Sequence, residues 1–200
     1  MKQKAHPRYA EIKRWMLERI SQQVSLEGEF FRTAGPSYTS AKQIVAGVGG
    51  LKSAGRWHPY GVLKIVYLSD EPETSLQEAN EHFRYYQLPL KKGYPKVTVI
   101  VVVKLTQVLD LTDPTVSETL PIPLEQVMTE DWRAIVAQKA ESAGQAIGRA
   151  AHQIGLQGLL VPSKPCPKSK NLLVFPKNLH SLLQIEVQNP EELELLGKNS

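Results

Sequence analysis

The sequence has a single cysteine, Cys166, among 200 residues. One thiol cannot close an internal disulfide, so neither a disulfide scaffold nor a cysteine-rich zinc site is available. Long hydrophobic runs are missing too. The longest, Val97 to Val103, is interrupted by Thr98 and stopped by Lys104, whereas a membrane-spanning helix takes about 20 apolar residues. The opening residues, Met1-Lys2-Gln3-Lys4-Ala5-His6-Pro7, lack the apolar stretch of a secretory signal. The expectation is a soluble, cytoplasmic protein that engages no membrane. Charge of one sign is scarce: 24 Lys plus Arg against 20 Asp plus Glu leave +4. The basic residues are spread along the chain, and no nucleic-acid-binding module is recognisable. What is present is ordinary globular composition, 42% hydrophobic and 22% charged, in a length that suits one domain with its own core.

Apolar spacing divides the chain into elements. Tyr9, Ile12, Trp15, Met16, Ile20 and Val24 predict an amphipathic helix from Arg8 to Val24, broken by Gly28. Glu29 to Thr33 is a strand, followed by a Gly- and Ser-rich loop from Ala34 to Pro59. Val62 to Ser69 is a second strand by its β-branched and aromatic content. Thr74 or Ser75 can cap a helix through Leu76, Ala79, Phe83 and Tyr86, and Pro89 and Gly93 end it. Lys96 to Leu111 is one long strand or two consecutive ones, and its Val/Ile run predicts burial on both faces. A polar, Pro-rich connection spans Asp113 to Pro123, and a helix broken near Glu141 to Gly144 spans Trp132 to Gly155. Three short strands follow: Gly158 to Pro162, Asn171 to Phe175 and Leu182 to Val187. Without clean βαβ alternation the class is α+β.

Generic catalytic motifs fail. Gly47 to Ser53 (GVGGLKS) places Leu51 where a phosphate loop needs Gly before Lys, and it lacks the third glycine of a dinucleotide fingerprint. The five histidines, His6, His58, His82, His152 and His180, show neither H-x-x-x-H nor H-E-x-x-H spacing, so no metal is expected. No G-x-S-x-G elbow is present.

The segment from Gly49 to His82 is more specific. A Gly-rich loop delivers Gly55-Arg56-Trp57, a strand carries Val66-Tyr67-Leu68, and a helix presents Leu76-Gln77-Glu78 with His82 a turn later. Phe31-Arg32 precedes it; Gly148, the strand Gly158 to Ser163 (GLLVPS) and Asn171 follow. In this order and spacing the sequence resembles the RES-domain family, named for its Arg, Glu and Ser residues. The resemblance implies an ADP-ribosyltransferase-like single domain with a central sheet split into two halves and flanking helices. It divides the chain into an N-terminal amphipathic helix (1–26), a RES domain (27–189) and a polar tail (190–200). The helix would cover the sheet, mediate a homodimer or meet a partner. The family's members are toxins of bacterial type II toxin–antitoxin pairs that degrade NAD+. The implied partner is an Xre-type helix-turn-helix antitoxin, with DNA reached only through it. NAD+ would be a substrate, with no prosthetic group.

Cleaving nicotinamide from ribose builds positive charge on the sugar, so the site needs cations for the pyrophosphate, an aromatic wall and a carboxylate near the ribose. Carried onto this sequence, Arg32 can fork two phosphate oxygens. Arg56 can touch phosphate, brace Glu78 or stack on Trp57. Tyr67 can pack on nicotinamide and bond a ribose oxygen through its hydroxyl. Glu78 sits at the edge of an apolar helix face, where a carboxylate is costly unless used or paired, and is the candidate for stabilising the cation. The family serine is Ser142, which also fits an S-x-x-Q capping box, or Ser163. Asn171 is a binding or a turn residue. The acceptor of ADP-ribose is water, phosphate or a protein, the last making the chain an ADP-ribosyltransferase; a third reading is an inactive antitoxin-binding module.

Overall fold

The spacing of Ile12, Trp15 and Met16 gives α1 (Tyr9–Glu18), with those three side chains as its buried face. The structure is a computed structural model that describes residues 3–35, 38 and 40–191, the side chain of Leu182 excepted. The predicted polar tail lies outside the described residues from position 192 onward. α1 stops earlier than its apolar spacing suggested. A 3-10 turn at Ile20–Gln22 follows, and Val24 already belongs to β1 (Val24–Ala34), paired with Val108. Gly28 does not break this strand, because it lies opposite Val103 within a ladder that continues on both sides of it.

The Gly-rich stretch holds two short helices, α2 (Ala41–Val45) and α3 (Gly49–Lys52). β2 (Val66–Ser69) leads into α4 (Pro72–Tyr85). Pro72 opens that helix, as suits a residue with no N–H to leave orphaned. Thr74 and Ser75, expected as caps, are therefore buried inside its first turns. β3 (Val97–Asp110) is one strand. Its Val/Ile run is not buried on both faces: Val101, Val103 and Leu105 are buried while Val102 is exposed. The connection after it contains α5 (Pro114–Ser117) and α6 (Leu124–Thr129), which spacing alone did not indicate. α7 (Trp132–Ala137) and α8 (Ala143–Gln153) are the two parts of the broken helix. β4 (Gly158–Pro162), β5 (Lys170–Val174) and β6 (Ile185–Val187) complete the described elements.

The architecture is α+β. The six strands form one sheet in the order β1-β2-β5-β4-β3-β6, and β1 also pairs with β3, so the first five close a ring. One joint of that ring is weak. β1 and β2 share the single pair Phe31↔Ser69. It separates the ladder β1–β3–β6 from the ladder β2–β5–β4, and beyond it the two strands splay apart. Two apolar cores lie on either side of the sheet. Leu159, Val161, Leu173 and Phe175 pack with α1 and α8 on one face, and Leu160, Leu172 and Val174 join Val66, Leu68, Val101 and Val103 on the other. Burial on both faces explains the unbroken apolar runs of β4 and β5, with each fully buried Leu or Val contributing roughly 1.5–3 kcal/mol. Among the described residues no helix is long and apolar enough to cross a membrane.

Candidate active site

A cleft of about 390 Å³ opens where β1 and β2 splay. Arg32 and Thr33 line it from β1, Tyr67 and Ser69 from β2, Glu78 and Ala79 from α4, and Asn171 from β5. The sheet register builds one corner of it. Ser69 on β2 lies directly opposite Asn171 on β5. The Ser69 hydroxyl donates to Asn171 Oδ1 at 2.7 Å, which turns the amide so that Nδ2 donates to Glu78 Oε1 at 2.6 Å. Ser163, just past the end of β4, donates its hydroxyl to the same Oε1 at 2.7 Å and accepts the Cys166 N–H at 3.3 Å. Ser69, Ser163 and Asn171 are all buried, so the carboxylate is gripped by a fixed frame. Both bonds fall on one oxygen, and among the described residues none is made to Oε2. That oxygen is left for a ligand in the cleft.

The opposite wall is an aromatic pair. Tyr67 Oη lies 2.8 Å from His58 Nδ1, and His58 Nε2 lies 3.0 Å from the Ser53 carbonyl oxygen. A carbonyl only accepts, so Nε2 carries the proton and Nδ1 accepts from the tyrosine. Burial lowers the His58 pKa to about 4, against the partial support of the Ser53 carbonyl, which keeps the ring neutral. Burial likewise raises the Tyr67 pKa, opposed by the Trp57 backbone. The Tyr67 hydroxyl also accepts the Trp57 N–H at 3.3 Å. Its proton is thus committed to His58, so toward a ribose hydroxyl it can only accept, and Tyr67 also lines the cleft with its ring. His58 is a partner the sequence reading missed. The nearest signal was its place next to Trp57 in the Gly-rich loop, and no motif marked it. Gly55 makes the turn possible, since a Cβ there would come within 2.5 Å of the His58 ring and 2.9 Å of Tyr67 Oη.

The two arginines differ. Arg56 Nη1 donates to the carbonyls of Val127 (2.9 Å) and Glu130 (3.3 Å) at the end of α6. Burial lowers its pKa, opposed first by Glu130 and then by Glu78. Its anchoring is to backbone carbonyls, and no ion pair with Glu78 forms, so of the three readings offered for Arg56 the bracing of Glu78 is not seen. Arg32 is held by one long bond, Nη1 to the Tyr67 carbonyl at 3.4 Å. Its Nε is buried without a hydrogen-bond partner, and among the described residues it has no ion-pair partner. Desolvation lowers its pKa, with Tyr38 opposing. A buried guanidinium with unused donors is costly unless an anion meets it.

Ser142 lies elsewhere. It caps α8 in a complete capping box: its hydroxyl accepts the Gln145 N–H at 3.3 Å and its own N–H meets Gln145 Oε1 at 3.3 Å. It does not line the cleft. Nor is the α8 N-terminus open to phosphate, because the Glu130 carboxylate already takes the N–H groups of Ala143 (3.2 Å) and Gly144 (3.1 Å). Of the two serines that could complete the site, the structure brings Ser163 to Glu78 and leaves Ser142 as a cap. α8 serves the site indirectly. Gln145 Nε2 donates to the Gly55 carbonyl at 3.0 Å, and Gly148 packs so closely on the Arg56–Trp57 loop that a Cβ there would overlap the Trp57 carbonyl oxygen.

His82, noted from sequence a turn after Glu78, lines the cleft too, as do Trp132 and three residues not singled out from sequence, Met128, Arg133 and Lys164. Among the described residues no group of three or more His, Cys, Asp or Glu stands close enough to hold a metal.

The RES domain family model covers residues 29–196. Two relatives named NAD(+) phosphorylase MbcT, from Mycobacterium bovis and Mycobacterium tuberculosis, are each 27% identical over 129 residues. The alignment spans 63% of this chain and 64% of theirs, under two thirds of the relatives' length. The crystal structure of the M. tuberculosis MbcT–MbcA toxin–antitoxin complex shares the fold, with a TM-score of 0.69 at 21% identity over 94% of this chain and 99% of that one. Since the family model takes in every wall of the cleft, the chain belongs to the RES-domain family.

Proposed function

We propose that this protein is the toxin of a type II toxin–antitoxin pair and cleaves the nicotinamide–ribose bond of NAD+ in the cytoplasm. The observation that carries the reading is Glu78, gripped on one oxygen by Ser163 and Asn171 with the other left to the cleft, in the same pocket as the unpaired Arg32. In this reading Arg32 forks the pyrophosphate and the Tyr67 ring packs on the nicotinamide ribose. The bond between ribose C1 and the nicotinamide nitrogen breaks heterolytically, and the electron pair leaves with neutral nicotinamide. Glu78 Oε2 bonds the ribose hydroxyls and stabilises the oxocarbenium-like cation. Water or phosphate then supplies an oxygen to C1 and loses a proton. Asn171 and Ser163 are positioning residues that act through Glu78. Arg56, tied to α6, adds positive field without leaving its carbonyls.

The names of the MbcT relatives support the substrate, and the pairing of MbcT with MbcA in a toxin–antitoxin complex supports an antitoxin partner. We take that partner to be of the Xre helix-turn-helix type and the fold to be ADP-ribosyltransferase-like. The test is to incubate the purified protein with labelled NAD+ and follow free nicotinamide. Wild type should release it, and Glu78→Ala should lose the activity by about 100-fold or more. Equal, slow release by both proteins contradicts the reading. The label then identifies the acceptor: free ADP-ribose for water, its phosphate for phosphorolysis, a discrete protein band for a transferase.

A further inference from the structure

Residues 3–8 run ahead of α1 and lie upstream of the family-matched span 29–196. They form a strap across the junction of α7 and α8. The Lys4 N–H donates to the Lys139 carbonyl at 2.9 Å, and the Lys4 carbonyl accepts the Glu141 N–H at 2.9 Å. The His6 N–H donates to Glu141 Oε2 at 2.9 Å. Glu141 is itself buried and held by two bonds from Arg149, at 2.6 and 2.7 Å, so the strap is fastened to a rigid, charge-assisted pair. Ahead of these bonds, Gln3 Nε2 donates to the Ala140 carbonyl at 3.0 Å and to Gln145 Oε1 at 3.4 Å.

Gln145 is fully buried. Its Oε1 takes two donors, the Ser142 N–H and the Gln3 amide, so its Nε2 must point the other way. There it donates to the Gly55 carbonyl at 3.0 Å. Gly55 opens the turn that closes on His58: the Gly55 N–H donates to the His58 carbonyl at 3.0 Å, and the His58 N–H to the Gly55 carbonyl at 3.4 Å. Arg56 and Trp57 lie within that turn, and His58 takes the Tyr67 proton. A continuous set of bonds thus runs from the strap to the aromatic wall of the cleft.

We propose that the N-terminal strap is a positioning element of the active site: Gln3 and Lys4 orient the Gln145 amide, and Gln145 holds the Gly55–His58 turn in place beside Tyr67. The catalytic part of this role rests on the NAD+ reading above. The sequence left the N-terminal segment to cover the sheet, to mediate a homodimer or to meet a partner. Its helix α1 spends its buried face on the core it shares with α8, and the strap spends its bonds on the support of the cleft. Each bond is modest alone. Together they fix which way a buried amide faces, and a turned amide would set an oxygen against the Gly55 carbonyl.

Two variants cut the connection at different points. Lys4→Pro removes the N–H given to Lys139, at an exposed position. Gln145→Glu keeps an acceptor for Ser142 and Gln3 and removes the donor to Gly55. Ser142→Ala is the control, because it loses the helix cap and keeps the tether. The readouts are hydrogen exchange at the Trp57 and His58 amides, the NMR titration of His58, and kcat/KM for nicotinamide release well below the melting temperature. Gln145→Glu should speed the exchange and lower kcat/KM by about tenfold, and Lys4→Pro by about threefold. The His58 titration, at about 4 in wild type, should move up toward 6.5 in both as water reaches the ring. Lys4→Pro carries the test if the glutamate variant does not fold. Wild-type exchange and titration in folded Lys4→Pro overturn the proposal. So does faster exchange at an unchanged kcat/KM in an active enzyme, or an equal effect of Ser142→Ala. If wild type releases no nicotinamide, the NAD+ reading fails, and exchange and titration alone decide the role of the strap.

Discussion

Ser142 and Ser163 are almost equally buried, at 1% and 2% exposure, and each sits at the edge of an element beside polar partners. Around Ser142 the bonds close inside the fold: the hydroxyl accepts the Gln145 N–H, Gln145 Oε1 accepts the Ser142 N–H, and Glu130 fills the α8 N-terminus. Around Ser163 the same kinds of bond converge on one oxygen of Glu78 and leave the other for the cleft. The two arginines repeat the contrast. Arg56 is tied to the carbonyls of α6, while Arg32 keeps a buried, unpartnered Nε. A saturated polar cluster builds the scaffold, and a cluster left incomplete by the protein itself is where a ligand binds.

The largest expected effect on the aromatic wall is from pH. The His58 pKa is about 4 in the folded protein against 6.5 for the ordinary group, because burial disfavours the imidazolium. The unfolded chain therefore binds the proton more tightly. Stability is complete above about pH 6.5 and falls as pH drops toward 4, by about 3 kcal/mol in all. His6 and His152 are lowered as well, also by burial first, and act in the same direction. Urea unfolding at a series of pH values checks this, and the slope should flatten in His58→Gln. An unchanged slope would show that His58 is not the neutral partner of Tyr67.

Asn171→Ala and Ser163→Ala should each lower kcat for nicotinamide release, up to about 100-fold, with a smaller change in KM. Both leave the carboxylate in place but free it to turn. A rise in KM alone would mean that they hold substrate rather than Glu78. Gly148→Ala should destabilise the protein by about 2 kcal/mol, because the new methyl pushes α8 off the Trp57 carbonyl; an unaltered melting temperature would contradict that packing. Smallest is Ser142→Ala, which should cost about 1 kcal/mol as a lost helix cap with little change in kcat. A large loss of kcat at unchanged stability would reverse the roles given to the two serines.

Much of this contrast is legible in the sequence. Glu78 stands out as a carboxylate at the edge of an apolar helix face, and Gly55-Arg56-Trp57 and Phe31-Arg32 mark the loop and strand that reach the cleft. What decides function lies beyond local spacing. The bonds that orient Glu78 join residues 85 and 93 positions apart, and the Ser69–Asn171 bond behind them spans 102. Only sheet register brings such pairs together. The bonds of the Tyr67 hydroxyl to His58 and Trp57, and of Arg56 Nη1 to Val127 and Glu130, are equally invisible there, because a side chain's spare donors depend on every neighbour at once. The ends of α1 and α4 differ from expectation for a simpler reason: apolar spacing continues through Val24, and Pro72 starts a helix that two hydroxyl residues also suited.

The charge of Glu78, rather than its shape, is the point on which the proposed chemistry depends most. Glu78→Gln keeps an acceptor oxygen for Ser163 and Asn171 while removing the negative charge that would face the ribose. Nicotinamide release from NAD+ and the melting temperature should be measured on the same preparation, beside wild type. The expected result is a fall in kcat of about 100-fold or more at a melting temperature close to that of wild type. Release at the wild-type rate by the folded glutamine variant would contradict the role given to Glu78.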